Sequence, residues 1–335
     1  MSLRPDVETR AACDKITGAT DEIAAATSLP YAAEFFPSGF HLILRTNSRD
    51  VLAAAAECWS GYAREFHCEP VELHVITRPQ GALSPEPAYR CQRHLFSVIG
   101  DADNFAVADL ERLFSFAVVS SKTAADHTWL RWFFVEAIVY TLLAQRHAVP
   151  VHGACVARNG SGILLCGFSG AGKSTLSFAC ARSGWTFISD DCTWLLPDSE
   201  DREAVGRPRE TRFRPDAPFF FPELEGLAER ARPNGKIGLA VRLSQFPRIR
   251  TASRCALSGV AFLDRKHGGT AGIAKMPGSE ALEGLLADRP SYGATVDARH
   301  ERTIRRLLEL PAYRLRYQSI EDGVRLVARL ADGEI

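Results

Sequence analysis

The sequence predicts an α/β fold in two domains, a smaller N-terminal α/β domain over residues 1–148 and a larger one over 149–335. Three observations carry this. A chain of 335 residues with 46 % hydrophobic content exceeds the usual size of one core. Short apolar runs with strand character alternate with segments of helical period in both halves. A glycine-rich turn, GFSGAGKS, stands in the second half between an apolar run and a helical one.

In the N-terminal half, residues 1–35 are Ala-rich and weakly patterned, and they read as a helical or loosely ordered lead-in. FHLILRT, from Phe40, reads as a strand. Ser48 stands as N-cap of a helix over Arg49 to Trp59, with Gly61 just past its end. VELHVIT (Val71 to Thr77) and HLFSVIG after Arg93 read as further strands, separated by a Pro- and Gly-rich loop. From Thr128 to Arg146 apolar residues lie almost all round a helical period, including Trp129, Trp132, Phe133, Ile138 and Leu142. This marks a helix buried between layers or domains, with its aromatics read as core.

The second half opens on PVHGACVA (Pro150 to Ala157) and ILLC (Ile163 to Cys166). Asn159-Gly160 between them tolerates positive φ, so the pair reads as a β-hairpin. It leads into Gly167-Phe168-Ser169-Gly170-Ala171-Gly172-Lys173-Ser174, which satisfies GxxxxGK[ST] with a strand before and the helix STLSFACARS after. Glycines let successive backbone N–H groups turn around phosphate oxygens, and the helix N-terminus adds positive potential. The nucleotide-binding set is therefore Gly167, Ser169, Gly170, Ala171, Gly172, Lys173, Ser174 and Thr175. Lys173 neutralises the β- and γ-phosphates and Ser174 ligates Mg²⁺, so a nucleoside triphosphate with Mg²⁺ is the expected ligand. Gly184 ends the helix as a C′ residue.

A strand from Trp185 to Ser189 then delivers Asp190 and Asp191 at its end. Phosphoryl transfer needs one carboxylate near Mg²⁺ and another to take a proton from the attacking hydroxyl. An Asp-Asp pair alone is also a common turn or helix cap, and the phosphate loop just upstream favours the chemical reading.

The order VHG, GxSGxGKS, DD over residues 150–195 resembles the catalytic domain of the HPr kinase/phosphorylase family, P-loop kinases related in fold to phosphoenolpyruvate carboxykinase. The resemblance implies an HPr kinase/PEP carboxykinase-like domain with a mixed sheet. It also implies Mg-ATP-dependent phosphorylation of a serine hydroxyl in a protein or peptide. By position, Lys173 holds phosphates, Ser174 and Asp191 serve the metal, Asp190 is the general base, and His152 sits beside that acid. Past Leu196 the family's Gly-rich signature, which supports the reverse dephosphorylation, is missing. The remaining pattern is similar to HPr-kinase-related kinases that phosphorylate lasso-peptide precursors.

Downstream, Lys236 lies in a Gly-flanked turn before the strand NGKIGLAVRL, where a lysine can reach a transferring phosphoryl group; a solvated surface lysine is the plain alternative. Arg207, Arg209, Arg212 and Arg214 form a basic run that contacts nucleotide or acidic peptide, or is a solvated face. Glu200 to Pro218 and Glu229 to Asn234 read as charged, Pro-interrupted loops. LSGVAFLDRK and YRLRYQ read as further patterned segments, and a helix ends the chain.

A net charge of zero argues against a general polyanion binder, so neither nucleic acid nor membrane is an expected partner. Nine scattered cysteines without a CxxC pair suggest neither a disulfide framework nor zinc, and point to a reducing cytoplasm. The start lacks a signal-peptide apolar run. Substrate recognition or homo-oligomer contact is the default role of the N-terminal domain. Two rivals to the peptide kinase stay open: a small-molecule kinase or carboxykinase of the same superfold, and a regulatory module that holds ATP without transferring it.

Overall fold

A computed structural model describes residues 27–197, 199–200, 202–265, 270–287 and 289–335. The chain divides into two compact units, Met1–Arg146 and His147–Ile335. The first unit is built on a seven-stranded mixed sheet in the order β1-β2-β3-β7-β6-β5-β4. Its strands are β1 (Tyr31–Phe35), β2 (Leu42–Thr46), β3 (Val71–Arg78), β4 (Ala88–Gln92), β5 (Leu95–Ile99), β6 (Phe105–Asp109) and β7 (Phe114–Ser120). Helix α1 (Arg49–Trp59) makes the crossover between parallel β2 and β3, and β3 pairs parallel with β7. Leu42, Leu44, Val71, Leu73 and Val75 alternate inward on β2 and β3, the period-2 pattern of a sheet with one covered face.

The lead-in reading fails for Tyr31–Phe35, which pairs antiparallel with β2 from Tyr31↔Thr46 to Phe35↔Leu42. Its YAAEF sequence has little β-branching, and the strand exists because β2 offers it an open edge. The part of that expectation covering residues 1–26 lies outside the described residues. The apolar stretch after β7 folds as α2 (Ser121–Ala125), α3 (His127–Leu130), a π-helical turn over Arg131–Val135, and α4 (Glu136–Arg146). It packs within the first unit: Trp59 of α1 donates its indole N–H to Tyr140 of α4 at 3.2 Å.

The second unit is a mixed sheet in the order β16-β10-β8-β11-β12-β17-β19-β18, with β9 joining β8 to β17. Strands β8 (Val149–Arg158) and β9 (Ser161–Cys166) form the expected hairpin. Asn159 at φ 52° and Gly160 at φ 83° give the turn its two left-handed residues. After the glycine-rich turn come α5 (Lys173–Arg182), β10 (Thr186–Ser189), β11 (Cys192–Leu195) and β12 (Glu203–Val205). Next are β13 (Glu210–Phe213), β14 (Glu229–Ala231), β15 (Ile237–Arg242), β16 (Arg250–Thr251) and β17 (Arg254–Asp264). The chain closes with β18 (Gly272–Lys275), α6 (Gly278–Leu286), α7 (Ala294–Leu307), β19 (Ala312–Arg316) and α8 (Ile320–Ala331). Among the described residues no helix is long and apolar enough to cross a membrane.

One face of this sheet packs Leu176 and Cys180 of α5 with Leu326 and Val327 of α8. A separate cluster gathers Val149, Val151, Leu164 and Val260 of the strands with Ala281, Leu285, Ile304 and Leu307 of α6 and α7. Strands β13, β15 and β14 form a small antiparallel sheet that covers the other side of α5. Segments 200–218 and 229–234 are therefore not all loop. Their charged residues alternate with inward Thr211 and Phe213, and pairing with β15 supplies the hydrogen bonds that their composition does not advertise. Phe178 of α5 sits in an aromatic cage, edge-on to Phe213, Phe221 and Phe246 at 5.2, 5.0 and 5.6 Å.

Candidate functional site

The glycine-rich turn leaves the end of β9 and enters α5, the strand-to-helix passage that positions backbone donors for an anion. Gly167, Gly170 and Gly172 have φ of 148°, 89° and 95°, values an L side chain rarely adopts. A Cβ on Gly167 would lie 2.9 Å from Ala171, and one on Gly170 would lie 2.8 Å from a guanidinium nitrogen of Arg214. The amide of Ala171 bonds to the Phe168 carbonyl at 3.0 Å, and Leu176 closes the first helical turn on Gly172 at 2.8 Å. Lys173 is buried, and its ammonium donates to the carbonyls of Gly167 at 2.6 Å and Phe168 at 3.4 Å. Ser174 and Thr175 follow it half-buried in the first turn, while Ser169 and Phe168 are exposed. Gly184 stops the helix in a Schellman arrangement, Trp185 bonding to Cys180 and Gly184 to Ala181 at 3.1 and 3.0 Å.

The acid pair owes its position to sheet register. Strand β8 pairs with β10 at Cys155↔Ser189 and with β11 at Cys192↔His152, so Asp190 and Asp191 fill the break between two strands lying along one edge of β8. Their environments differ. Asp190 is buried; one carboxylate oxygen accepts the N–H of Arg212 at 2.8 Å, and the other has no hydrogen-bond partner among the described residues. Burial pushes its carboxyl up to about 6, opposed by the Ser174 hydroxyl, the Arg212 N–H and the Thr211 hydroxyl, and reinforced by Asp191. The Asp191 side chain is 71 % exposed, and its Oδ1 lies 3.5 Å from Nδ1 of His152. His152, expected beside Asp190, makes its ion-pair contact with Asp191. The pairing break directs Asp190 inward toward Ser174 and leaves Asp191 outside, with the histidine of the neighbouring strand.

A cavity of about 210 Å³ opens beside this pair. His152 and Asp191 line it together with Gly167 and Phe168 of the loop, apolar Phe262 and Leu285, and Arg289.

Lys236 is exposed at the end of the turn between β14 and β15, where its backbone N–H is accepted by Asn234 at 3.2 Å. The residue of that turn that shares an electrostatic field with the acids is Arg232. Burial and Arg212 lower its pKa, while Asp191, Asp190 and Glu210 oppose that shift. Sequence reading passed over Arg232 because it lies in a stretch taken as loop. The basic run splits by register: Arg212 gives its N–H to Asp190, whereas Arg214 reaches the tip of the glycine-rich loop at Gly170. Arg265, just past β17, lies beside the loop, its Cδ 3.9 Å from where a Cβ of Gly172 would sit. Arg214 belongs to the basic run already singled out in the sequence, whereas no local motif announces Arg232 or Arg265, which only the fold brings to this region.

The residues fit a magnesium-bound nucleoside triphosphate. Left-handed glycines whose Cβ positions are already crowded, a buried lysine, and an unpaired buried carboxylate oxygen near a serine hydroxyl form a coherent donor set.

Residues 116–207 match a family model described as ScmC, a SynChlorMet cassette protein. No curated protein matches the chain. Among solved structures, it is similar to the Hpr(Ser) kinase/phosphatase from Coxiella burnetii, with 11 % identity over 55 % of this chain and 95 % of that one and a TM-score of 0.30.

Proposed function

We propose that this chain is an ATP- and Mg²⁺-dependent kinase that transfers the γ-phosphoryl group to a serine-type hydroxyl of a protein or peptide. The observation that carries the reading is the split environment of the acid pair at the phosphate loop, one carboxylate buried near Ser174 and the other open to a cavity with His152.

A bound Mg·ATP would supply the phosphoryl group and positive charge to offset the charge on its phosphates. Gly167 to Thr175 hold the phosphates through backbone donors, with Lys173 as their counter-charge. Ser174 and Asp190 would hold the metal, since a buried oxygen of Asp190 has no hydrogen-bond partner among the described residues and the Ser174 hydroxyl lies beside that carboxylate. Asp191 takes the acceptor proton. It lines the cavity, and His152 orients it and steadies its charge. This exchanges the base and metal roles that the resemblance implies for Asp190 and Asp191, because a buried carboxylate has no route to an incoming hydroxyl. Arg214 and Arg232 add positive charge at the loop tip and near the acids, where charge spreads as the phosphoryl group moves. The cavity accepts a side chain or a small group rather than a folded surface. The matching family model is named for a cassette, so other members of such a cassette are the first acceptors to test.

The test is transfer of labelled γ-phosphate to candidate peptides with and without Mg²⁺. Metal-dependent labelling of a hydroxyl residue supports the kinase. Slow ATP hydrolysis that no acceptor accelerates would favour a nucleotide-holding regulatory module instead.

A further inference from the structure

The small-sheet region builds an aromatic shelf that phosphate chemistry does not use. The 3₁₀ turn Ala217–Phe219 leaves Phe219 85 % exposed, edge-on to Phe220 with centroids 5.2 Å apart. Phe220 is anchored from below by the cluster of Phe178, Phe213 and Phe221. Arg265 lays its guanidinium over the Phe220 ring, 5.3 Å from its centroid. The stem of the same arginine lies against the loop at Gly172. The shelf and the phosphate loop are thus separated by one arginine side chain. An outward phenylalanine forgoes the burial that stabilises most of its kind, and here it stands beside a cationic loop.

We infer that Phe219 and Phe220, with Arg265, bind the base of the nucleotide; this rests on the reading that Gly167–Ser174 holds the phosphates. An aromatic face beside a guanidinium recognises the π-face of a nucleobase. A phosphate chain held between Gly172 and Ser174 has its ribose and base as its continuation, and Arg265 spans that interval. Stacking tolerates base identity and grows with ring area, so the ligand class is a purine nucleoside triphosphate with modest discrimination between adenine and guanine.

The experiment is equilibrium binding of Mg·ATP, Mg·GTP and magnesium tripolyphosphate to the full chain, to Phe219→Ala and to Phe219→Trp. Phe219 is exposed, so these variants should keep the parent's melting temperature. The parent should bind ATP about tenfold or more tighter than tripolyphosphate, with GTP within severalfold of ATP. Phe219→Ala should lose about five- to tenfold for ATP and nothing for tripolyphosphate. Phe219→Trp should restore ATP affinity, with its fluorescence quenched by ATP and not by tripolyphosphate. Equal parental affinities for ATP and tripolyphosphate, or an unchanged Phe219→Ala, would overturn the shelf while leaving the phosphate loop intact. Failure of the parent to bind either ligand would overturn both.

Discussion

Nδ1 of His152 lies 3.5 Å from Oδ1 of Asp191, while the adjacent, buried Asp190 accepts the backbone N–H of Arg212. Two neighbouring carboxylates thereby acquire different chemistry from a single break in strand pairing. Asp191→Asn should retain Mg·ATP affinity and lose about 10²- to 10⁴-fold in transfer, the usual range for a lost general base. Asp190→Asn should instead weaken the metal dependence of nucleotide binding. Titration of nucleotide at fixed Mg²⁺, alongside transfer rates, separates the two; identical behaviour would remove the division of roles.

Lys173 is buried against the carbonyls of its own loop, so its charge is held at the glycine-rich turn that the proposed kinase uses for phosphate. Lys173→Ala should reduce transfer by about 10²-fold or more, comparable to loss of one transition-state donor. Calorimetric binding of ATP should weaken in parallel, and circular dichroism should stay unchanged.

The buried Asp190 also makes stability depend on pH. Its folded carboxyl is raised to about 6 from an ordinary 3.8. The neutral form therefore favours the fold: its contribution is fully present below the unfolded pKa and is lost as pH rises through about 6. Without metal, Asp190→Asn should gain stability over the parent between those limits, approaching about 2–3 kcal/mol at pH 8 and vanishing near pH 3.5. Urea denaturation of both proteins across that range checks the sign. A constant difference would place the effect elsewhere.

Phe178 connects α5 to the small sheet through its edge-on contacts with three phenylalanines. Phe178→Ala should cost about 3–5 kcal/mol, the range for an emptied aromatic site. Because α5 carries Lys173 and Ser174, nucleotide affinity should fall as well, which denaturation and binding measured on one preparation will show.

Gly206 has backbone close behind it, with the Ile188 carbonyl oxygen 1.9 Å from where a Cβ would sit. Gly206→Ala should force β10 away from its neighbours, next to the acid pair it delivers, and lower the melting temperature by several degrees. Gly226→Ala makes a useful contrast: nothing lies within 4 Å of its Cβ position, although its φ of 81° leaves backbone strain. It should cost markedly less in the same thermal assay.

Much of this molecule is legible where the signal is local. The Asn159-Gly160 turn, the glycine-rich loop and the Gly184 stop each follow from short-range chemistry, namely two left-handed residues, a crowded turn and a C′ glycine, whereas α1 begins after Ser48 as expected without a side-chain capping bond from that serine. Strands β1 and β13 were missed because their composition is weak and partner edges create them. The sequence by itself determined that a glycine-rich GxxxxGK[ST] turn precedes a strand followed by two acids. The tertiary structure alone decided what surrounds them: which acid is buried and which meets His152, and which arginines, Arg214, Arg232 and Arg265, arrive from distant segments. The reason is physical. Local motifs fix backbone torsions within a few residues, whereas burial, register and charge proximity exist only once separate strands have paired.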